Sequence, residues 1–148
     1  MQSVPVLDTD TLSVIQRRSE PRFGRLLSRL RALPSDQTVW VTIISYEEQL
    51  RGWLEYIKRA KPVQLAARYA KLWDCHRDFA GRLVLPFDGA ATDVFERLLR
   101  AKTRIGTSDL KIAAVTISRD DILLSSNLRH FTRVPGLRVE DWTRPVQS

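Results

Sequence analysis

Two periodicities alternate along the chain. Short apolar runs rich in branched residues are separated by longer segments whose apolar positions recur every three to four residues. Val4–Leu7, Val39–Ile44, Leu83–Leu85 and Ile122–Leu124 predict strands, and Leu137–Val139 predicts a short final one. Pro5 cannot donate to a ladder, so it marks the first residue of its strand. Val39–Ile44 is apolar and branched throughout, which predicts a strand buried on both faces. The intervening segments predict helices. One covers Leu12–Gln16. A second opens at Pro21, with Phe23, Leu26, Leu27, Leu30 and Leu33 on one face, and ends before a Pro34-Ser35-Asp36 turn. A third starts at Ser45, where Ser45 and Glu48 have capping-box spacing, and stops at Lys61-Pro62. A fourth spans about Val63–Phe79 and ends at Gly81. Its Leu65, Tyr69, Leu72, Trp73, His76 and Phe79 share a face, predicting a core side with a packed histidine. A fifth follows Asp88, its cap, with Val94, Phe95, Leu98 and Leu99 inward and Asp93 solvated. The sixth begins near Ser108 and is apolar nearly all round, which predicts burial against a sheet.

Strands that alternate with helices imply right-handed crossovers and a mostly parallel sheet between helical layers. With 148 residues, the fold class is α/β and residues 1–148 form one domain. The net charge of +7 and a pI near 10.2 favour a polyanionic partner, nucleic acid first among them. The second helix strengthens this, because Arg22, Arg25, Arg29 and Arg31 stand on its outer face with no acid between Pro21 and Ser35. The single cysteine, Cys75, can form no internal disulfide and reads as a buried thiol of a reducing compartment. No signal-peptide core and no run of about 20 apolar residues is visible, so the expected location is the cytoplasm, with no membrane contact.

The candidate chemistry lies in acids that are far apart in sequence. Asp8 follows the first strand, Glu48 lies one turn beyond the second, Asp109 opens the sixth helix, and Asn127 follows the fourth strand. Each acid has a local explanation: Asp8 as a helix cap, Glu48 as the distal half of a capping box, Asp109 as a partner of a helix dipole. Together they share the sheet edge where α/β proteins place their chemistry. Three carboxylates there repel one another, and a divalent cation relieves the repulsion. Magnesium and manganese prefer such oxygen ligands and keep waters that phosphate oxygens replace. No glycine-rich nucleotide loop and no zinc-type histidine pair is present.

Several motifs carry a family resemblance: Val6–Ser13 (VLDTDTLS), Ser45–Glu48 with Gly52, Ile105–Ala114 (IGTSDLKIAA), and Asn127–Trp142 with its VPGLRVEDW ending. Over nearly the whole chain these resemble PIN domains, most of all the VapC-type ribonuclease toxins of toxin–antitoxin pairs. The resemblance implies a three-layer α/β/α sandwich and an Mg²⁺- or Mn²⁺-dependent endoribonuclease silenced by a VapB-type antitoxin, with a homodimer expected. It implies Asp8, Glu48 and Asp109 as metal ligands and Asn127 at a fourth site position that is often Asp. It leaves Asp10 as a supporting acid, and Arg104 or Lys111 as neighbours of the RNA phosphate. Leu26, Leu27, Trp53 and Trp73 offer apolar surface for the antitoxin, with at least two of the four expected to fill the core instead. Two rivals remain: a catalytically weak module of the same fold that binds RNA or protein, and a phosphatase using an aspartyl nucleophile. The Asp8-Thr9-Asp10-Thr11 segment fits the phosphatase pattern poorly.

Overall fold

The computed structural model describes residues 3–34 and 38–146. Ser35 and Asp36 of the predicted turn lie outside the described residues. Five three-residue strands, β1 (Pro5–Leu7), β2 (Trp40–Thr42), β3 (Leu83–Leu85), β4 (Ile122–Leu124) and β5 (Arg138–Glu140), form one sheet in the order β3-β2-β1-β4-β5. Every pairing is parallel. Among the described residues, seven α-helices connect them: α1 (Thr9–Arg17), α2 (Arg22–Arg31), α3 (Ile43–Lys58), α4 (Leu65–Ala80), α5 (Gly89–Arg100), α6 (Thr107–Ser118) and α7 (Leu128–Phe131).

The strand period of two sorts the core. Val6 and Leu123 point to one face, where Val94, Leu98, Ile112 and Val115 of α5 and α6 close over them. Leu7, Val41 and Leu124 point to the other, under Leu12 and Val14 of α1, Leu26 of α2, and Cys75 and Phe79 of α4. The result is the expected α/β/α sandwich, and Cys75 is buried as read. Helix α6 contributes six successive or near-successive buried residues, Leu110 and Ile112–Thr116, as its apolar circumference predicts.

Three local expectations are corrected. The second strand is shorter than Val39–Ile44, because Thr42, its last paired residue, also caps α3, its side chain accepting the Ser45 N–H at 3.2 Å. The helix therefore starts at Ile43, and Ser45 and Glu48 are not a capping box. His76 is exposed rather than packed. It lies against the Trp73 ring with centroids 5.7 Å apart, and Trp73 is itself 60% exposed, because α4 turns Cys75 and Phe79 inward instead. Finally, α2's arginines are largely engaged within the protein. Arg22 pairs with Asp10, Arg25 donates to the Thr143 carbonyl, and Arg29 lies over the Trp142 ring. The short α7 was not predicted, since four residues show no period.

A polar seam joins the helices on the α1 side. Gln16 and Gln49 exchange amide hydrogen bonds at 3.0 and 2.8 Å, and Gln16 also donates to Asp78 at 2.8 Å. Arg82 holds both Asp78 oxygens, at 2.8 and 3.0 Å. Among the described residues, no helix is long and apolar enough to cross a membrane.

Candidate active site

In this strand order the chain reverses direction across the sheet between β1 and β4. The crevice beyond their carboxyl ends is the place such sheets offer a ligand. Asp8 follows β1, and Ser125, Ser126 and Asn127 follow β4. A cavity of about 590 Å³ opens there, lined by Asp8, Thr9, Asp10, Ser13, Glu48, Asp109, Ser126, Asn127 and Phe131. All four residues singled out by sequence thus reach one cavity. Although the chain carries a net +7, no lysine or arginine is among those lining residues.

Each side chain is held by identifiable contacts. Asp8 is 4% exposed and caps α1, its Oδ1 accepting the Thr11 N–H at 2.8 Å. Burial raises its carboxyl above the ordinary aspartate range, against the pull of hydrogen bonds from Ser125 and Thr11. The Ser125 hydroxyl also accepts the Asn127 N–H at 2.9 Å, which fixes the turn after β4 against Asp8. Glu48 faces α1 and accepts the Thr9 hydroxyl at 2.6 Å, whereas Glu47 turns outward to Arg51. Asp109 lies in the first turn of α6 and is half-buried. Burial raises its carboxyl, opposed by His130, whose Nε2 stands 3.5 Å from Asp109 Oδ2. Asp10 is exposed, and the Ser126 hydroxyl, 2.8 Å away, lowers its carboxyl with help from Arg22. Asn127 is exposed and makes no side-chain cap to α7.

The donor set suits a hard divalent cation. Its acids and amide offer oxygen ligands, and two of its carboxylates, Asp8 and Asp109, are desolvated, with no lysine or arginine in the lining. As the side chains stand, no three His, Cys, Asp or Glu among the described residues form a ready-made metal cage. The Asp8 and Glu48 oxygens nearest α1 are occupied by the Thr11 N–H and the Thr9 hydroxyl.

The sequence does not assign Thr9, Ser13 or Phe131 to the site, and it offers Ser126 and His130 only as an improbable serine–histidine pair. The polar residues flanking Asp8 and Asn127 were the available signal for Thr9 and Ser126. His130 gave none, because its approach to Asp109 depends on α7. The two basic neighbours expected for phosphate do not line the cavity: Lys111 Nζ lies over the Phe95 ring at 5.9 Å, and Arg104 is exposed elsewhere.

Comparison with known proteins gives a consistent picture. No family model matches the chain. Over 69 residues it is 39% identical to the tRNA(fMet)-specific endonuclease VapC of Salmonella typhimurium, covering 43% of this chain and 52% of that protein. It is also 39% identical over 70 residues to the protein of the same name from Shigella flexneri, covering 44% and 53%. The chain spans about half the length of the curated relatives it matches. Among solved structures, VapBC-1 from nontypeable Haemophilus influenzae superposes with a TM-score of 0.76 at 18% identity, over 95% of this chain and 99% of that one. DNA-bound VapBC from Salmonella typhimurium gives a TM-score of 0.69 at 24% identity, over 95% and 99%. The VapC resemblance carried by the motifs therefore recurs in sequence relatives, and the fold is that of the PIN domains in these complexes.

Proposed function

We propose that the chain is a metal-dependent endoribonuclease, the toxin half of a VapBC-type pair acting on RNA in the cytoplasm. The observation that carries this reading is the cavity at the β1/β4 crevice, lined by four carboxylates and no basic side chain on an otherwise basic protein. The 39% identical relatives named as endonucleases support the reaction class.

Asp8, Glu48 and Asp109 would hold Mg²⁺ or Mn²⁺, with Asn127 an uncharged neighbour. When bound, such an ion activates water and polarises the phosphoryl group of the scissile bond. The chain's own contributions are positional. Asp8 is fixed by the α1 backbone and Ser125, which hold its carboxylate in one orientation at the cavity. Asp109, carried by the first turn of the rigid, buried α6, faces it from another element. Asp10, with Ser126 and Arg22, closes the outer rim.

The antitoxin is proposed to dock on the outer face of α3 and α4. There Leu54, Tyr56, Tyr69 and Trp73 are exposed at 44–60%. Of the four residues named from sequence, Leu26 and Trp53 pack into the core, as expected for at least two of them, while Trp73 is exposed. The toxin–antitoxin complexes among the structural neighbours support a VapB-type partner. A homodimer is the further assembly that the resemblance implies.

The test is RNA cleavage by the purified chain with Mg²⁺ or Mn²⁺, with chelator, and by Asp109→Asn. Cleavage should require the ion and be lost in the variant, together with metal affinity. A protein that binds RNA but turns none over at any metal concentration is the binding module instead.

A further inference from the structure

Thr9 is the first residue of α1 and sits between that helix and α3. Its Oγ1 is 2.6 Å from Glu48 Oε1 and 2.8 Å from Ser45 Oγ. A threonine hydroxyl carries one proton, and a carboxylate can only accept. The Thr9 proton is therefore committed to Glu48, and the Ser45 hydroxyl must donate to Thr9. Ser45 is 0% exposed, and its backbone N–H is tied to Thr42 Oγ1, so its own position is set by the start of α3. The direction of the chain of hydroxyls is thus fixed: Ser45 to Thr9 to Glu48.

We propose that this relay positions Glu48 for the divalent cation, tethering Oε1 and leaving Oε2 to face the cavity. The inference rests on the metal-site reading of that cavity. A free glutamate side chain loses rotamer entropy when it is fixed. The tether removes much of that freedom before any ion arrives. Groups that hold a metal ligand in this manner typically contribute about 10–100-fold in affinity. The arrangement also joins two ligands from separate elements, because Thr9 is the residue after Asp8. One dipeptide supplies a ligand just after β1 and the support for a ligand on α3.

The test uses the full chain, stripped of metal and titrated with Mn²⁺ while free ion is read by electron paramagnetic resonance. Thr9→Val keeps the shape and removes the hydroxyl; Thr9→Ser restores it. Thr9→Val should bind Mn²⁺ about 10–100-fold more weakly and lower kcat for RNA, while Thr9→Ser stays near the parent and unfolding in urea without metal barely changes. Should Thr9→Val fail to fold, Ser45→Ala breaks the relay one step back and should weaken Mn²⁺ binding in the same direction. Parent-like Mn²⁺ affinity in Thr9→Val, or equal weakness in Thr9→Ser, overturns the relay alone. A parent protein that binds no Mn²⁺ overturns the metal reading and the relay together.

Discussion

Asp8 has two duties that a pair of substitutions separates. Its carboxylate caps α1 through the 2.8 Å bond from Thr11, and it presents buried negative charge to the cavity. Asn caps a helix about as well as Asp, whereas Ala forfeits about 0.5–2 kcal/mol. Asp8→Ala also removes the acceptor for the Ser125 hydroxyl, which is 1% exposed, and an orphaned buried donor costs about 1–3 kcal/mol. Asp8→Ala should therefore lose roughly 1.5–5 kcal/mol, summing these two effects. Asp8→Asn should behave differently. Burial raises the Asp8 carboxyl in the folded protein, so the folded state holds its proton more tightly than the unfolded chain does. The ionised group then subtracts from stability at neutral pH, and this penalty relaxes as pH falls through the folded value toward the unfolded value of about 3.9. Without metal, Asp8→Asn should be as stable as the parent or more so at pH 7, with the difference shrinking on acidification. Saturating Mn²⁺ should reverse the ranking, since an ion at 100 times its Kd adds about 2.7 kcal/mol to the protein that binds it. Urea unfolding at two pH values, with and without Mn²⁺, reads all of this. Equal destabilisation of both variants at pH 7, or RNA cleavage surviving in Asp8→Asn, would refute the reasoning.

Two further substitutions probe other regions. Trp73→Ala removes an exposed ring of α4 and should change unfolding stability by less than about 0.5 kcal/mol while weakening a co-expressed VapB-type partner's affinity, measured by calorimetry. Leu123→Ala opens a cavity at a fully buried β4 position and should cost about 2–5 kcal/mol, measured by urea unfolding.

The sequence made some elements readable and left others obscure for definite reasons. β3 and β4 match the predicted Leu83–Leu85 and Ile122–Leu124 because short apolar runs stood between a glycine or charged turn and a polar one. Alternation alone predicts a mostly parallel sheet, and every pairing is parallel. Helix α3 was misplaced by two residues because Ile43 and Ile44 favour strands locally, and Thr42 as a cap outweighed that preference. The face of α4 was misread because two apolar stripes overlap on it, and burial chose the one ending in Cys75 and Phe79. At the cavity, Asp8, Glu48, Asp109 and Asn127 were legible from their positions after strands and at helix starts. Thr9 and His130 were not, because their roles depend on neighbours 39 and 21 residues away in the chain.

The reciprocal amide pair of Gln16 and Gln49 acts as a key between α1 and α3. Hydrocarbon surfaces can slide by part of a turn with little loss, but two amides that exchange both donors and acceptors match at one setting only. Asp78, gripped by Arg82, extends the same setting to α4. The spacing between the acid that ends β1 and the acid carried by α3 is thereby indexed by directional bonds rather than left to greasy contact.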